Sequence, residues 1–211
     1  MKNQFLSKVF TWFGVGLLVT FLTAYLVSTN IYALNFIFSG STYFVIMILE
    51  FAIAIFLGVR IHKMSVGMVR GLYLGYSALT GLTFSSIFVV YEISSVIWIF
   101  FASALTFFVF AMLGKSDRFD LSSYGSYLIV ALLSSFILEV INIFLMNGTL
   151  DIILSVLVLV IFTIYVAYDV QKIISKGYDN EQMAIYGAFD LYLDFINIFL
   201  RLLRLFGKER D

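Results

Sequence analysis

The sequence predicts an all-α membrane protein, a seven-transmembrane-helix bundle with the C-terminal helix at its centre. Of the 211 residues, 62% are hydrophobic and 12% are charged, whereas a soluble domain uses roughly 45–50% apolar residues. A helix needs about 20 apolar residues to cross a bilayer core, and the chain contains about seven charge-poor windows of that length. The mean hydropathy of +1.04 agrees with this class.

The predicted spans follow one another with short connections. They cover residues 9–29, 42–61, 71–91, 93–114, 124–146, 150–174 and 182–206. The connections carry turn-forming residues, as in "SGST", "MNGT" and "SKGYDN". No linker or low-complexity tract divides the chain, so residues 1–211 are predicted to form a single transmembrane domain. The first apolar run is too long for the core of a signal peptide and is interpreted as the first span.

Charge and cysteine content exclude several classes of function. The formal net charge is zero and the pI is near 6.6, so the chain offers no basic stripe for a nucleic-acid partner. The absence of cysteine excludes disulfides, thiolate metal sites and a cysteine nucleophile. No motif in the sequence calls for a resident cofactor.

The distribution of cations predicts the orientation. Lysine and arginine concentrate on one side of the first six spans, which the positive-inside rule places in the cytoplasm together with the N-terminus. These cations are Lys2, Lys8, Arg60, Lys63, Arg70, Lys115, Arg118, Lys172 and Lys176. The Phe-, Ile- and Lys-rich composition favours a bacterial cytoplasmic membrane, with the endoplasmic reticulum as the alternative.

The last span carries a polar stripe. Its members step by four, three, four and three residues, which places them on one helix face; they are Asp190, Asp194, Asn197, Arg201 and Arg204. A charge at mid-membrane costs at least about 2.5–3.5 kcal/mol and usually faces a bundle interior, which is why this helix is predicted to be central. A full crossing would place Arg201, Arg204, Lys208 and Arg210 outside, against the charge rule. The helix is therefore either held across the membrane by its neighbours or enters and returns to the cytoplasmic side; a crossing is favoured.

Asp169 on the sixth span is the predicted partner of this stripe. Counted from a turn near Tyr178, Asp169, Asp190 and Asp194 lie at depths of about 13, 18 and 24 Å in straight antiparallel helices. Two carboxylates brought close in a dry site cannot both ionise cheaply and tend to share a proton. At these depths Asp169 can approach Asp190, and it can approach Asp194 only if the helices tilt or the turn is asymmetric. A pair of Asp169 with either residue would act as a proton-sensitive latch.

Structural roles compete at each of these positions. Asp169 could be an interfacial carboxylate paired with Lys172, and Asp190 and Asp194 could be protonated structural groups. Glu50 could be a neutral acid hydrogen-bonded inside the bundle, and Arg60 a snorkelling anchor. Glu139 and Asn142 share a face of the fifth span near its outer end, where they could line a vestibule.

Several motifs together resemble the Bax inhibitor-1 family in its short bacterial form. They are "AYDVQKI", "LYLDFINIFLRLLRLFG", "ILEFAIAIFLGVR" and "TGLTFSSIF". The resemblance implies a seven-helix fold around a central last helix and a pH-sensitive calcium leak. It implies that Asp169 and Asp194 form the proton-sharing pair, and that Glu50 and Arg60 are the membrane acid and the arginine, the latter engaging the pair from the cytoplasmic side.

Two departures from the family pattern stand out. Asp190 stands where a small or neutral residue is usual, so three carboxylates could surround one site and act as transient Ca²⁺ ligands, because Ca²⁺ takes six to eight oxygens. The chain has no proline, and Ser86 stands where relatives often have one. Any kink in the third span must then come from Gly81 or the Ser/Thr cluster.

The sequence thus predicts a non-enzymatic leak channel that transports Ca²⁺ in membrane lipid and is gated by protons on Asp169 and Asp194, with Arg60 as sensor. Asp190, Glu50, Glu139 and Asn197 are the additional pore or ion-site candidates. One alternative is an intramembrane aspartyl protease of the YD/GxGD type, although Phe189 replaces the second glycine in "GAFD" and the family's Pro-Ala-Leu motif is absent. A proton-coupled secondary transporter is the other, although that class usually has more helices and a repeat.

Overall fold

The computed structural model describes residues 2–116, 120–176 and 180–210. Arg118 and the turn at Tyr178 lie outside these residues. The described ranges form nine α-helices: α1 Lys2–Ser28, α2 Ile31–Phe38, α3 Gly40–Arg60, α4 Val66–Phe84, α5 Ile87–Val90, α6 Ile93–Lys115, α7 Gly125–Leu145, α8 Gly148–Lys176 and α9 Glu181–Phe206. Seven stretches are long and apolar enough to cross a membrane. The predicted all-α, seven-span membrane class is confirmed.

The connection between the first two spans contains an unpredicted helix. The α2 helix has eight residues, too few to cross a bilayer core. Its N-cap is Asn30, whose side-chain oxygen accepts hydrogen bonds from the backbone N–H groups of Tyr32 at 3.0 Å and Ala33 at 3.1 Å. This capping satisfies two of the amides that a helix start leaves unpaired.

The third span is interrupted at two serines. The Ser85 hydroxyl donates to the Leu82 carbonyl at 2.6 Å, and the Ser86 hydroxyl donates to the Thr83 carbonyl at 3.0 Å. Such back-bonding competes with the helical ladder and often bends a helix. The break between α4 and α5 therefore lies in the Ser/Thr cluster, which is one of the two places expected for it, and not at Gly81, which lies inside α4.

The first of two compact units contains α1 to α5, the first part of α9 up to Tyr192, and the C-terminal residues from Glu209. In this unit α1 packs closely against α4 through glycine. A Cβ on Gly16 would lie 2.0 Å from the Tyr73 hydroxyl, and a Cβ on Gly81 would lie 2.7 Å from the Thr20 carbonyl oxygen. Small residues allow such close approach of helices in membranes.

The second unit contains α6, α7, α8 and the part of α9 from Leu193. Its aromatic core is made by Phe100 and Phe107 of α6, whose rings lie 5.5 Å and 5.8 Å from the ring of Phe195 in edge-on contacts. Gly114 brings the end of α6 against the α8 backbone, because a Cβ there would lie 2.2 Å from the Ala167 carbonyl oxygen. This contact lies two residues before Asp169.

The α9 helix is the most buried of the seven spans. Two thirds of its apolar 18-residue window is buried, 67% against 44% for α8 and less for the other five. Burial of this degree agrees with the polar stripe, which requires contact with protein rather than lipid. The position of α9 at the centre of the bundle stays a prediction.

Residues at the start of α9 and residues beyond its end contact the two ends of the third span within the first unit. At the start of α9, Glu181 pairs with Arg70 in α4, with nitrogen–oxygen distances of 2.5 and 3.0 Å. Beyond the end of α9, Glu209 forms an isolated antiparallel bridge with Tyr91, and the N–H of Arg210 donates to the Val90 carbonyl at 2.8 Å. These contacts agree with the favoured crossing of the last helix; whether it crosses or enters and returns stays a prediction.

Candidate functional site

Asp169 lies buried near the end of α8. Its side chain is held by Lys172, one helical turn further on, with 3.0 Å between Nζ and Oδ1, and the residue is 6% exposed. Lys172 also lies over the ring of Tyr168, 5.8 Å from its centre. The pairing with Lys172, which is the structural role that competes for Asp169, is present in the structure.

Asp194 is the second buried carboxylate of this unit. It is 4% exposed and lies on α9. The phenol of Tyr165 on α8 lies within electrostatic range of both Asp169 and Asp194. The second unit therefore brings the two predicted partners into the neighbourhood of one tyrosine.

The connection between α6 and α7 packs against α8 beside Asp169. The side-chain oxygen of Gln171 accepts a hydrogen bond from the backbone N–H of Leu121 at 2.6 Å, and the Tyr168 hydroxyl lies over Gly125, where a Cβ would be 2.4 Å away. Nearby, hydrogen bonds from Ser122 hold the pKa of the exposed Asp120 carboxyl below its usual range. Asp120 therefore stays ionised at neutral and mildly acidic pH, unlike a proton sensor.

The polar stripe of α9 continues with two ion pairs at the far end of the unit. Arg201 pairs with Glu139 of α7 at 2.6 Å between Nη1 and Oε1, and Arg204 pairs with Asp151 of α8. Asn197 donates to the Leu193 carbonyl of its own helix at 2.8 Å. Two of the four cations that break the charge rule on a crossing, Arg201 and Arg204, are thus neutralised by acids of the neighbouring helices.

A cavity of about 430 Å³ opens beside these ion pairs. It is lined by Glu139, Asn142, Ile143, Met146, Asn147, Gly148, Asp151 and Arg204. Most of these side chains are polar or charged, so the cavity can hold water and ions. Glu139 and Asn142 both line this cavity, and its role as a vestibule stays a prediction.

Glu50 lies in the first unit, half-buried on α3, among hydroxyl groups. The Thr83 hydroxyl lies 3.4 Å from Glu50 Oε1, and Thr80, Tyr76 and Tyr192 lie close to the same carboxylate. Arg60 is exposed in the last turn of α3, the position of a snorkelling anchor. Asp190 is half-buried on the part of α9 that belongs to this unit.

The described residues contain no group of three or more His, Cys, Asp or Glu side chains placed to hold a metal ion. Calcium ligation by Asp169, Asp190 and Asp194 therefore stays a prediction. The same applies to engagement of the aspartates by Arg60.

Sequence reasoning missed a buried hydroxyl cluster in the first unit. The Tyr192 hydroxyl lies 2.6 Å from Thr20 Oγ1, Thr20 donates to the Ser77 carbonyl at 2.9 Å, and all three residues are at most 4% exposed. Tyr73, Ser77 and Thr80 step by four and three along α4, so their shared face was readable in the sequence.

Comparison with known proteins agrees with this architecture. Residues 2–211 match the family described as "Inhibitor of apoptosis-promoting Bax1". The chain belongs to the Bax inhibitor-1 family. The match confirms the resemblance carried by the motifs of the second, third, sixth and seventh spans.

Bacterial members of the Bax inhibitor-1 family match over nearly their whole length. An uncharacterized protein of Borreliella burgdorferi is 40% identical, covering 100% of this chain and 94% of the relative. "Inner membrane protein YbhL" of Escherichia coli K12 is 34% identical, covering 99% and 93%. An uncharacterized membrane protein of Streptococcus pyogenes serotype M1 is 30% identical, covering 98% and 93%. The relatives named as membrane proteins and the seven long apolar helices identify the chain as an integral membrane protein.

Proposed function

We propose that this Bax inhibitor-1 family member is a non-enzymatic, pH-sensitive leak channel for Ca²⁺ in a bacterial cytoplasmic membrane, with its N-terminus in the cytoplasm. The observation that carries the proposal is the burial of Asp169 and Asp194 around Tyr165 in one unit. Buried carboxylates in a membrane mark ion or proton pathways. The relative named as an inner membrane protein supports the location.

The gate works through the protons of the aspartate pair. At low pH one shared proton allows an Asp169–Asp194 hydrogen bond and removes repulsion between the two groups. At higher pH both carboxylates ionise, and Asp169 takes Lys172 as its partner, as it does in the structure. Because Lys172 and Asp194 compete for one carboxylate, protonation shifts the balance between two arrangements of α8 and α9.

The outer vestibule supplies the entry for cations. Glu139 and Asp151 line it together with the neutral oxygens of Asn142 and Asn147. Hard cations such as Ca²⁺ take oxygen ligands and tolerate irregular geometry. Asn197 and Asp190 follow along α9, and Asp190 is the proposed additional transient ligand.

The deciding experiment measures calcium-indicator flux into proteoliposomes across a pH series, for the wild type and for Asp194→Asn. We expect a pH-dependent flux in the wild type that Asp194→Asn flattens, because the variant cannot exchange the shared proton. Asp169→Asn is expected to do the same. Asp120→Asn is the matched control: its carboxylate is exposed in a loop, so the wild-type pH profile should persist.

All variants are compared at equal amounts of inserted protein per vesicle, so that a lower flux caused by poor folding is not mistaken for a change in gating. Wild-type pH dependence in both Asp169→Asn and Asp194→Asn would refute the gate. No flux above empty vesicles at any pH would refute the channel and favour the two alternatives that also need buried aspartates. Cleavage of a transmembrane peptide would then identify a protease, and proton-coupled uptake a transporter.

A second prediction concerns Asp190, one helical turn before Asp194. Asp190→Ser should move the pH midpoint of the flux downward, because a neighbouring negative charge favours proton uptake by the pair and its removal weakens that effect. The measurement is the same pH series. Asp190→Asn should produce the same shift, since it removes the charge at nearly constant volume, and an unchanged midpoint in both variants would contradict the role of Asp190.

A further inference from the structure

Polar side chains follow one face of α4 from its first turns to its end. They step by three, four, three and three residues, which is the spacing of a single helix face; they are Arg70, Tyr73, Ser77, Thr80 and Thr83. Ten positions, or about 15 Å, separate the first hydroxyl group from the last. At the far end, Thr83 Oγ1 lies 3.4 Å from Oε1 of Glu50 on α3. The face therefore carries hydroxyl groups across about half of a bilayer core.

A phenol of α9 joins these hydroxyl groups to one another. The Tyr192 hydroxyl lies within hydrogen-bonding reach of both Thr80 and Ser77. On one side Thr80 lies beside the carboxyl group of Glu50, and on the other side Ser77 lies within reach of the Tyr73 hydroxyl. This hydroxyl series runs without a gap from Tyr73 to Glu50.

Helix α1 fixes the position of the central phenol. The Tyr192 hydroxyl lies 2.6 Å from Thr20 Oγ1, and Thr20 donates its own proton to the Ser77 carbonyl at 2.9 Å. The rings of Tyr73 and Tyr76 each lie 6.0 Å from the ring of Tyr192 in edge-on contacts. Tyr192 is therefore held by α1 and α4 with its hydroxyl group inside the series.

The other end of the hydroxyl series meets a polar cavity. The Tyr73 hydroxyl donates to the Trp12 carbonyl at 2.9 Å, and Trp12 lines a cavity of about 320 Å³ where α1 and α9 begin. The other lining residues are Ser7, Lys8, Thr11 and Glu181. A polar space of this volume can hold about ten water molecules at about 30 Å³ each. The hydroxyl series thus lies between a space suited to water and an acid inside the membrane.

A chain of hydroxyl groups can pass a proton, because each group both donates and accepts a hydrogen bond. When a proton from the cavity reaches Tyr73, each hydroxyl accepts one proton from behind and gives one forward. The last O–H bond forms on the Glu50 carboxylate, which becomes neutral, and each hydroxyl then rotates back. Thr80 is suited to this rotation, because its buried hydroxyl has no well-aligned hydrogen bond to any one partner among the described residues.

A purely structural role would need fewer groups. Serine and threonine in a membrane helix are satisfied by a carbonyl of their own helix, as Ser77 is by Tyr73 at 2.9 Å. That role requires neither a phenol from α9 nor a carboxyl group from α3. Chains that contain an acid inside a membrane mark proton relays, and here the chain ends on Glu50.

We propose that the hydroxyl series is a proton path that joins the cavity at Trp12 to Glu50, which takes up and releases a proton inside the membrane. Among the described residues, the titratable groups that face Glu50 are the phenols of Tyr76 on α4 and Tyr192 on α9. The path lies within the first unit and does not rest on the calcium leak proposed for the aspartates. It gives the protein a second site that responds to pH.

The test follows hydrogen–deuterium exchange at Glu50 by infrared spectroscopy of the full chain in lipid bilayers. The carbonyl stretch of a protonated carboxyl group shifts when deuterium replaces its proton, and loss of the band in Glu50→Gln assigns it. We expect this proton to exchange while the backbone amides of the spans are still protonated, because the path needs no unfolding. Exchange no faster than that of these amides, or a spectrum without a band that Glu50→Gln removes, would overturn the proposal.

Variants that lack one hydroxyl group separate a proton path from a packing role. Tyr192→Phe and Thr80→Val should each slow the exchange by about tenfold or more, which needs only about 1.4 kcal/mol of added barrier. Thr80→Ser should keep the wild-type rate, since serine retains the hydroxyl. Tyr127→Phe is the matched control, because Tyr127 is 72% exposed on α7. Hydroxyls that only hold the helices together would leave exchange equal or faster when removed, and either result would contradict the path.

Discussion

Replacing Gly114 with alanine is expected to lower the melting temperature of the purified protein by roughly 6–12 °C, which corresponds to a loss of about 3 kcal/mol in a chain of this size. The added Cβ would lie 2.2 Å from the carbonyl oxygen and 2.8 Å from the Cα of Ala167. These are backbone atoms, which cannot rotate away as a side chain can. The end of α6 must therefore move away from α8.

Gly58→Ala is the matched control for this change. Gly58 is also a helical glycine, but a Cβ there meets no atom within 4 Å. Alanine is favoured over glycine inside a helix by about 1 kcal/mol, so this variant should be neutral or slightly more stable. Equal melting temperatures for Gly114→Ala and the wild type would show that α6 and α8 are less closely packed than the structure indicates.

The Gly114→Ala variant also connects packing to the proposed gate. Ala167 lies two residues before Asp169 on α8, so a displaced helix would change the surroundings of that carboxylate. In proteoliposomes the fraction of protein that folds should show an altered pH profile of calcium flux, whereas Gly58→Ala should keep the wild-type profile.

Replacing Arg201 with methionine is expected to cost about 2–3 kcal/mol, or roughly 4–12 °C in melting temperature. The change leaves Glu139, in the second half of α7, without its cationic partner. The side chains of Arg201 and Glu139 are 15% and 26% exposed, so the expected cost lies between those of a surface pair and a fully buried pair. Thermal unfolding in detergent measures it.

The double variant Arg201→Met, Glu139→Leu should recover most of this loss, because replacing both partners leaves no charge uncompensated. Arg204→Met is the control on the same helix. Its ion pair with Asp151 has side-chain exposures of 50% and 30%, and exposed pairs contribute about 0–1 kcal/mol. Equal losses in Arg201→Met and Arg204→Met, or no recovery in the double variant, would contradict this account.

The spans could be predicted from the sequence because lipid imposes a strict demand. Every crossing needs about 20 apolar residues in a helix, so the seven long helices are visible as seven windows. The same demand says nothing about short helices at the membrane edge. The α2 helix has the apolar composition of a span but only eight residues, and its start depends on the cap at Asn30, which the hydropathy of the window does not contain.

The polar stripe of α9 could also be predicted from the sequence, because its spacing follows the period of a helix. The acids that pair with the arginines of the stripe could not be predicted. Arg201 pairs with Glu139, 62 residues earlier in the chain, and Arg204 pairs with Asp151. Such pairs follow from the packing of α7 and α8 against α9, which no local pattern encodes.

The hydroxyl cluster escaped sequence reasoning for a different reason. Serine and threonine inside a membrane helix usually bond a carbonyl of their own helix, as Ser77 does with Tyr73 at 2.9 Å. The shared face of Tyr73, Ser77 and Thr80 on α4 can be read from their spacing, but the contacts that join Ser77 and Tyr192 through Thr20 of α1 follow from the packing of the helices.

The contacts at the two ends of α9 restrict how that helix can move. Its first turn is tied to α4 by Arg70 and Glu181, and the chain beyond its last turn is tied to the end of the third span by the backbone at Val90 and Tyr91. Sliding of α9 by one helical turn would break the backbone contacts of Glu209 and Arg210 as well as the exposed ion pair of Arg70 and Glu181. A rearrangement confined to the surroundings of Asp190 and Asp194 would leave these contacts in place, and the proposed gate is expected to work in that way.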